Sequence, residues 1–141
     1  MESQKLPVKE LITQAIAALE HAYTPYSEFK VGAALLDQNG TIYQGCNIEN
    51  AAYTPCNCAE RTAFFKAVSE GVRGFEAICV VGGKQGVLEE YAAPCGVCRQ
   101  VMMEFCDPAE FKVILAVDED HYDIYTLAEI LPMGFGPANL A

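Results

Sequence analysis

The chain has 141 residues, 52% hydrophobic and 20% charged, which is enough apolar material for one compact domain and too much for a disordered chain. Nine Lys and Arg against nineteen Asp and Glu give a formal net charge of −10, the wrong sign for displacing counterions from a long polynucleotide, so no nucleic-acid partner is expected. No run approaches the ~20 consecutive apolar residues that span a bilayer, and Met1–Glu10 lacks the apolar core of a signal peptide, so a cytoplasmic protein with no membrane partner is expected.

Leu11, Ile12, Ala15, Ile16 and Leu19 recur at helical spacing and predict an amphipathic helix over residues 8–22, broken by Thr24-Pro25-Tyr26-Ser27. Phe29 to Asp37 is strand-like. Gln38-Asn39-Gly40 is a turn with the Asn-Gly pair that favours hairpins, and Thr41 to Ile48 returns as an antiparallel strand. After an irregular polar stretch, Glu49 to Asn57, a helix runs from Cys58 to Glu70, with a narrow apolar face of Ala59, Ala63, Ala67 and Val68 and Gly71 as its cap. Ala77 to Val81 is an unbroken apolar run bounded by Gly82-Gly83, the pattern of a strand buried on both faces. A loop leads to Pro94, and Val97, Val101, Met102 and Phe105 mark the buried face of the next helix. Phe111 to Val117 is a further strand. Across the Asp118-Glu119-Asp120 turn, Tyr122 to Thr126 pairs back antiparallel, because the link is too short for a parallel crossover. A short helix over Leu127–Leu131 and a tail with Gly and Pro finish the chain. The order α-β-β-α-β-α-β-β-α predicts a single α/β domain over residues 1–141, a three-layer α/β/α sandwich around a five-stranded mixed sheet.

Seven cysteines in a chain without a signal segment argue for metal ligands and free thiols, not a disulfide framework. Two segments carry the chemistry: Cys58-Ala59-Glu60 and Pro94-Cys95-Gly96-Val97-Cys98. Cys58, Cys95 and Cys98 make three soft ligands, one short of a closed tetrahedral zinc site, and an open fourth position belongs to catalytic zinc. Glu60 stands where a carboxylate can move the protons of a water at that position. Both segments enter predicted helices, whose N-terminal N–H groups and dipole favour thiolates. Three thiolates on zinc nevertheless leave a net negative centre, a poor Lewis acid. Arg61, three residues after Cys58, is expected to offset that charge by donating to thiolate sulfur. Other readings of the cysteines remain open. Cys95 and Cys98 alone suit a redox dithiol, and Cys56 would close a four-ligand structural zinc. Cys46, Cys79 and Cys106 read as buried small hydrophobes, and His21 and His121 as surface residues.

The two cysteine segments resemble the zinc-deaminase signature H-x-E…P-C-x-x-C, with cysteine in place of histidine. With Tyr26-Ser27-Glu28-Phe29-Lys30-Val31-Gly32-Ala33-Ala34 and Gly45-Cys46-Asn47-Ile48-Glu49-Asn50-Ala51-Ala52-Tyr53, the chain from Leu11 to Phe135 resembles the small homotetrameric zinc-dependent cytidine deaminases. The resemblance implies one Zn2+ per subunit on Cys58, Cys95 and Cys98, with Glu60 shuttling protons. It implies that Asn47 and Glu49 bond the ribose 3′-hydroxyl, that Phe29 packs along the nucleoside, and that the Ala59 backbone meets the pyrimidine ring. Ala51 and Tyr53 would reach toward the sugar in a neighbouring subunit's site, and Phe135 would stack on a base across an interface. The activity implied is hydrolytic deamination of cytidine and 2′-deoxycytidine in pyrimidine salvage, by a homotetramer with shared sites. Read without the resemblance, Asn47 and Glu49 alternate on an extended segment and suit a neutral diol, or cap a loop. The lack of a basic cluster beside them disfavours a phosphorylated nucleotide. The related blasticidin-S deaminases are the rival within the class, and Asn47-Ile48-Glu49-Asn50 favours the ordinary nucleoside.

Overall fold

A nine-residue strand, β1 (Phe29–Asp37), pairs antiparallel with β2 (Ile42–Cys46) on one side and with β3 (Phe75–Lys84) on the other. The computed structural model describes residues 6–141, so the Met1–Lys5 part of the N-terminal segment lies outside the described residues. Beyond β3, β4 (Lys112–Asp118) runs parallel to it and β5 (His121–Thr126) returns antiparallel, in the order β2-β1-β3-β4-β5. The parallel pair requires a crossover, and α3 (Gly96–Phe105) lies on it. The sheet is therefore the five-stranded mixed one expected.

The β1–β2 turn is fixed by chemistry in the sequence. Gly40 takes φ +91°, a value that L side chains resist. Asp37, only 2% exposed, accepts the Asn39 and Thr41 N–H groups on Oδ1 at 2.8 and 2.9 Å, which satisfies donors that a tight turn leaves free.

Helix α1 (Val8–Ala18), extended by a 3-10 turn at Leu19–His21, fills the predicted 8–22 window. Its Leu11, Ile12 and Ala15 cover one sheet face, against Ala34, Leu36, Cys79, Val81 and Ile114. On the other face α2 (Ala59–Ser69) and α3 pack Ala63, Phe64, Ala67 and Met102 over Leu35, Ile78, Val80 and Val113. Helix α4 (Leu127–Ile130) opens on a capping box: Glu129 N–H donates to Thr126 Oγ1, and Thr126 N–H to Glu129 Oε1.

Several boundaries and faces differ from the sequence reading. β2 stops at Cys46, and Ile48 instead makes lone bridges to Tyr23 and Asn57. Gly82-Gly83 lies inside β3, because β1 pairs with it through Phe29↔Lys84. A Cβ on Gly83 would fall 1.8 Å from the Val87 carbonyl oxygen, so the glycine marks a close backbone approach and not a strand end. In α2 the buried face takes Phe64, while Val68 is only half-buried. In α3 the buried line is Cys98, Met102 and Met103, and Val97 is 57% exposed. Cys98 faces the site between the helices, which rotates Val97 outward. Cys79 is buried as expected, but Cys46 and Cys106 are only half-buried.

One contact of β2 sets the position of the site. A Cβ on Gly45 would lie 2.2 Å from Ala59 O and 2.6 Å from Ala63 N, so β2 seats directly on the first turn of α2. Gly45→Ala must push that turn away. It is expected to destabilise the fold by about 3 kcal/mol, read as a lowered chemical-denaturation midpoint, and to weaken metal retention. An unchanged midpoint would show that the helix start is free to move.

Candidate metal centre and active-site cavity

Cys58 is the N-cap residue of α2 and Cys95 that of α3, and Cys98 is the third residue of α3. Two helix starts therefore converge, each presenting unpaired N–H groups and a positive dipole end. The three sulfurs lie within 4.8 Å of one another, with Cys58 to Cys95 at 3.8 Å and Cys95 to Cys98 at 3.5 Å. A tetrahedral zinc with Zn–S bonds of about 2.3 Å needs sulfur–sulfur edges of about 3.8 Å. The donor set thus fits one zinc ion per chain by chemistry and by spacing.

The electrostatics suit thiolates. The Cys58 thiol is pulled down to about 5, first by donation from Cys98, then by Arg61 and Cys95. Cys98, donating to Cys58, is pushed up, with burial adding to the rise. An ion that takes all three sulfurs replaces these shared protons. Arg61 Nη2 donates to Cys58 Sγ at 3.3 Å, and its Nε is buried with no hydrogen-bond partner among the described residues. Cys56 stands apart. Its sulfur accepts the Asn50 N–H at 3.2 Å and donates to the Asn50 carbonyl, and it is absent from the sulfur cluster.

Glu60, the second residue of α2, is 4% exposed. Burial pushes its carboxyl up to about 7, and the neighbouring Cys58 charge adds to the rise. A carboxyl poised near neutrality both accepts and donates protons at the pH of a cell.

The centre opens into a cavity of about 510 Å³. Phe29, Asn47, Glu49, Tyr53, Ala59, Glu60 and Arg61 all line it, together with Cys58 and Cys95. Ala51 and Phe135 do not, and Phe135 is 57% exposed on the tail. Asn47 and Glu49 are committed within the chain. Asn47 accepts the Val31 N–H at 2.9 Å and donates to the Phe29 carbonyl at 2.8 Å. Glu49 accepts the Tyr26 and Ser27 N–H groups at 3.0 and 3.1 Å and the Ser27 hydroxyl, and these bonds, the Ser27 hydroxyl first, lower its pKa. Both side chains therefore also hold the Tyr26–Val31 wall of the cavity in place.

Sequence reasoning assigned no role to Ser27, which accepts the Phe29 N–H at 3.0 Å while bonding Glu49. Its only traces in the sequence were the Thr24-Pro25-Tyr26-Ser27 helix break and its place in the Tyr26–Ala34 segment. Asn57, Val80, Ala92 and Ala93 also line the cavity without any sequence signal.

A soft three-donor set that leaves one tetrahedral direction free, next to a buried acid in a cavity, puts the chain among zinc-dependent hydrolases. A family model described as the cytidine and deoxycytidylate deaminase zinc-binding region matches residues 7–114. The chain belongs to this family. A cytidine deaminase from Sporosarcina psychrophila is 50% identical over 136 residues, covering 96% of each protein. One from Halalkalibacterium halodurans is 51% identical over 125 residues, 89% of this chain and 91% of that one. The crystal structure of a cytidine deaminase from Burkholderia pseudomallei superposes with a TM-score of 0.81 at 47% identity, over 89% of this chain and 97% of that one.

Proposed function

We propose that the chain is a cytidine deaminase, hydrolysing cytidine and 2′-deoxycytidine to uridine and 2′-deoxyuridine with release of ammonia, as a salvage enzyme. The observation that carries this is the buried Glu60 carboxyl beside the Cys58, Cys95 and Cys98 sulfurs in one cavity, within a chain whose relatives bear that name.

When bound, zinc on the three thiolates supplies Lewis-acid activation of a water. Glu60 takes a proton from the attacking water and delivers it to ring N3, then takes the proton of the hydroxyl formed at C4 and hands it to the amine leaving C4. Asn47 and Glu49, oriented by their bonds to the Tyr26–Val31 segment, bond the ribose 3′-hydroxyl through remaining capacity: the second amide N–H of Asn47 donates to its oxygen, and the Glu49 carboxylate accepts its proton. Phe29 packs along the nucleoside, and the Ala59 backbone meets the pyrimidine ring. Among the described residues no basic cluster lines the cavity apart from Arg61, which faces sulfur, so neutral nucleosides are favoured over phosphorylated ones.

Residues 1–141 act as one catalytic domain, working as a homotetramer. Tyr53 is 91% exposed and Phe135 also projects outward, which suits reach into a neighbouring copy, with Ala51 beside Tyr53 on the same loop. Among the described residues no helix is long and apolar enough to cross a membrane, and the net charge of −10 suits neither membrane surface nor polynucleotide. A cytoplasmic location fits both.

An ultraviolet assay on cytidine, deoxycytidine, cytosine and cytidine monophosphate, with zinc measured in the same preparation, tests the reading. Turnover of the two nucleosides with one zinc per chain is expected. Turnover of the monophosphate alone, or no turnover in zinc-loaded protein, overturns it. Arg61→Ala should keep most of the zinc yet lower kcat about 10-fold or more, since the centre becomes more negative. A full rate would remove the charge-balance argument.

A further inference from the structure

Cys95 is the exposed member of the sulfur cluster. Cys98 is buried, and Cys58 is half-buried with Arg61 donating to its sulfur. Packing therefore does little to aim the Cys95 side chain, and its direction depends on the backbone to which it is attached. One residue grips both peptide groups that flank the Cys95 Cα. Arg99 Nε donates to the Pro94 carbonyl at 2.7 Å, and Arg99 N–H donates to the Cys95 carbonyl at 3.0 Å. Cys95 is held between these anchors at φ −69° and ψ 168°, outside the helix that it caps.

The same guanidinium reaches further. Arg99 Nη1 donates to the carbonyl of Ile130, the last residue of α4, where a helix end leaves carbonyls unpaired. The next residue of α3, Gln100, donates from Nε2 to the Phe135 carbonyl at 2.8 Å. Among the described residues Arg99 makes no ion pair, so its donors go to main-chain carbonyls and not to a carboxylate. A rigid fork of donors fits two carbonyls at fixed separation, which a single ammonium cannot do.

We infer that Arg99 is a positioning residue of the metal centre, a brace that fixes the Cys95 backbone for zinc and ties it to the C-terminal end of α4. It touches neither sulfur nor substrate. The inference rests on the three cysteines holding zinc. Its consequence is that the exposed zinc ligand and the end of α4, from which the chain runs on to Phe135, share one anchor, so loosening either loosens the other.

The test compares zinc-loaded wild type, Arg99→Met and Arg99→Lys. It reads the rate of zinc release to a chromogenic chelator at neutral pH, with circular dichroism as the check on folding. Both variants are expected to release zinc about 10-fold faster or more, and amide exchange over Leu131–Gly134 should quicken in both. Lysine keeps the charge and the stem but not the fork, so it also keeps the test decisive if the methionine variant fails to fold. Wild-type release from Arg99→Lys would mean that charge alone matters, and would overturn the brace. Fast release with unchanged exchange over Leu131–Gly134 would overturn the link to the end of α4. Wild-type protein that binds no zinc at all would instead remove the functional reading on which this one rests.

Discussion

Glu60→Gln is expected to lower kcat about 10²- to 10⁴-fold, the usual contribution of a positioned acid–base group, equivalent to roughly 3 to 5 kcal/mol of barrier. Glutamine matches the carboxylate in shape but neither takes nor gives a proton, so zinc content and nucleoside binding should persist. The prediction draws on Glu60's burial and on a carboxyl pushed up to about 7, which suits both halves of the proton traffic. Steady-state kinetics paired with zinc analysis reads it out. A variant within a few-fold of the wild-type rate would sink the proton-shuttle role even if deamination itself is confirmed.

Cys98→Ala should be as damaging by a different route. Cys98 is the buried sulfur of the cluster, and alanine there leaves two donors, one of them exposed. Zinc is expected to fall from one per chain to near zero on dialysis against a mild chelator, with turnover lost in parallel. Cys56→Ala is the matched control. Its sulfur bonds the Asn50 backbone, outside the cluster, so that variant should keep its zinc. Loss of zinc in Cys56→Ala as well would revive the closed four-cysteine site, whereas retention in Cys98→Ala would point to a different ligand set.

Much of the fold was legible because local chemistry and tertiary structure agree. The Asn39-Gly40 turn and the unbroken apolar run of β3 each state their geometry in a few residues. What was missed depends on partners far along the chain. Phe64 and Phe65 are adjacent, and only the packing of Phe64 against Phe75, Phe105 and Phe111 shows which one turns inward. Gly82 and Gly83 look like a strand end until the pairing with β1, some fifty residues away, is known. The centre was legible for a similar reason: Cys58, Glu60, Cys95 and Cys98 sit within single helix turns whose starts the sequence marks. The Ser27–Glu49 bond spans 22 residues between irregular segments, with no periodicity to reveal it.

The convergence of two helix starts on one sulfur set also makes the metal a removable cross-link. Cys58 and Cys95 lie 37 residues apart, and the chain between them contains α2 and β3. Closing a loop of that length removes unfolded-chain entropy worth about 4 kcal/mol, as a disulfide would. Unlike a disulfide, this link opens and closes by mass action, so its contribution rises and falls with free zinc. The lifetime of the folded protein is then tied to metal supply, and a zinc-starved cell would lose the protein itself along with its activity.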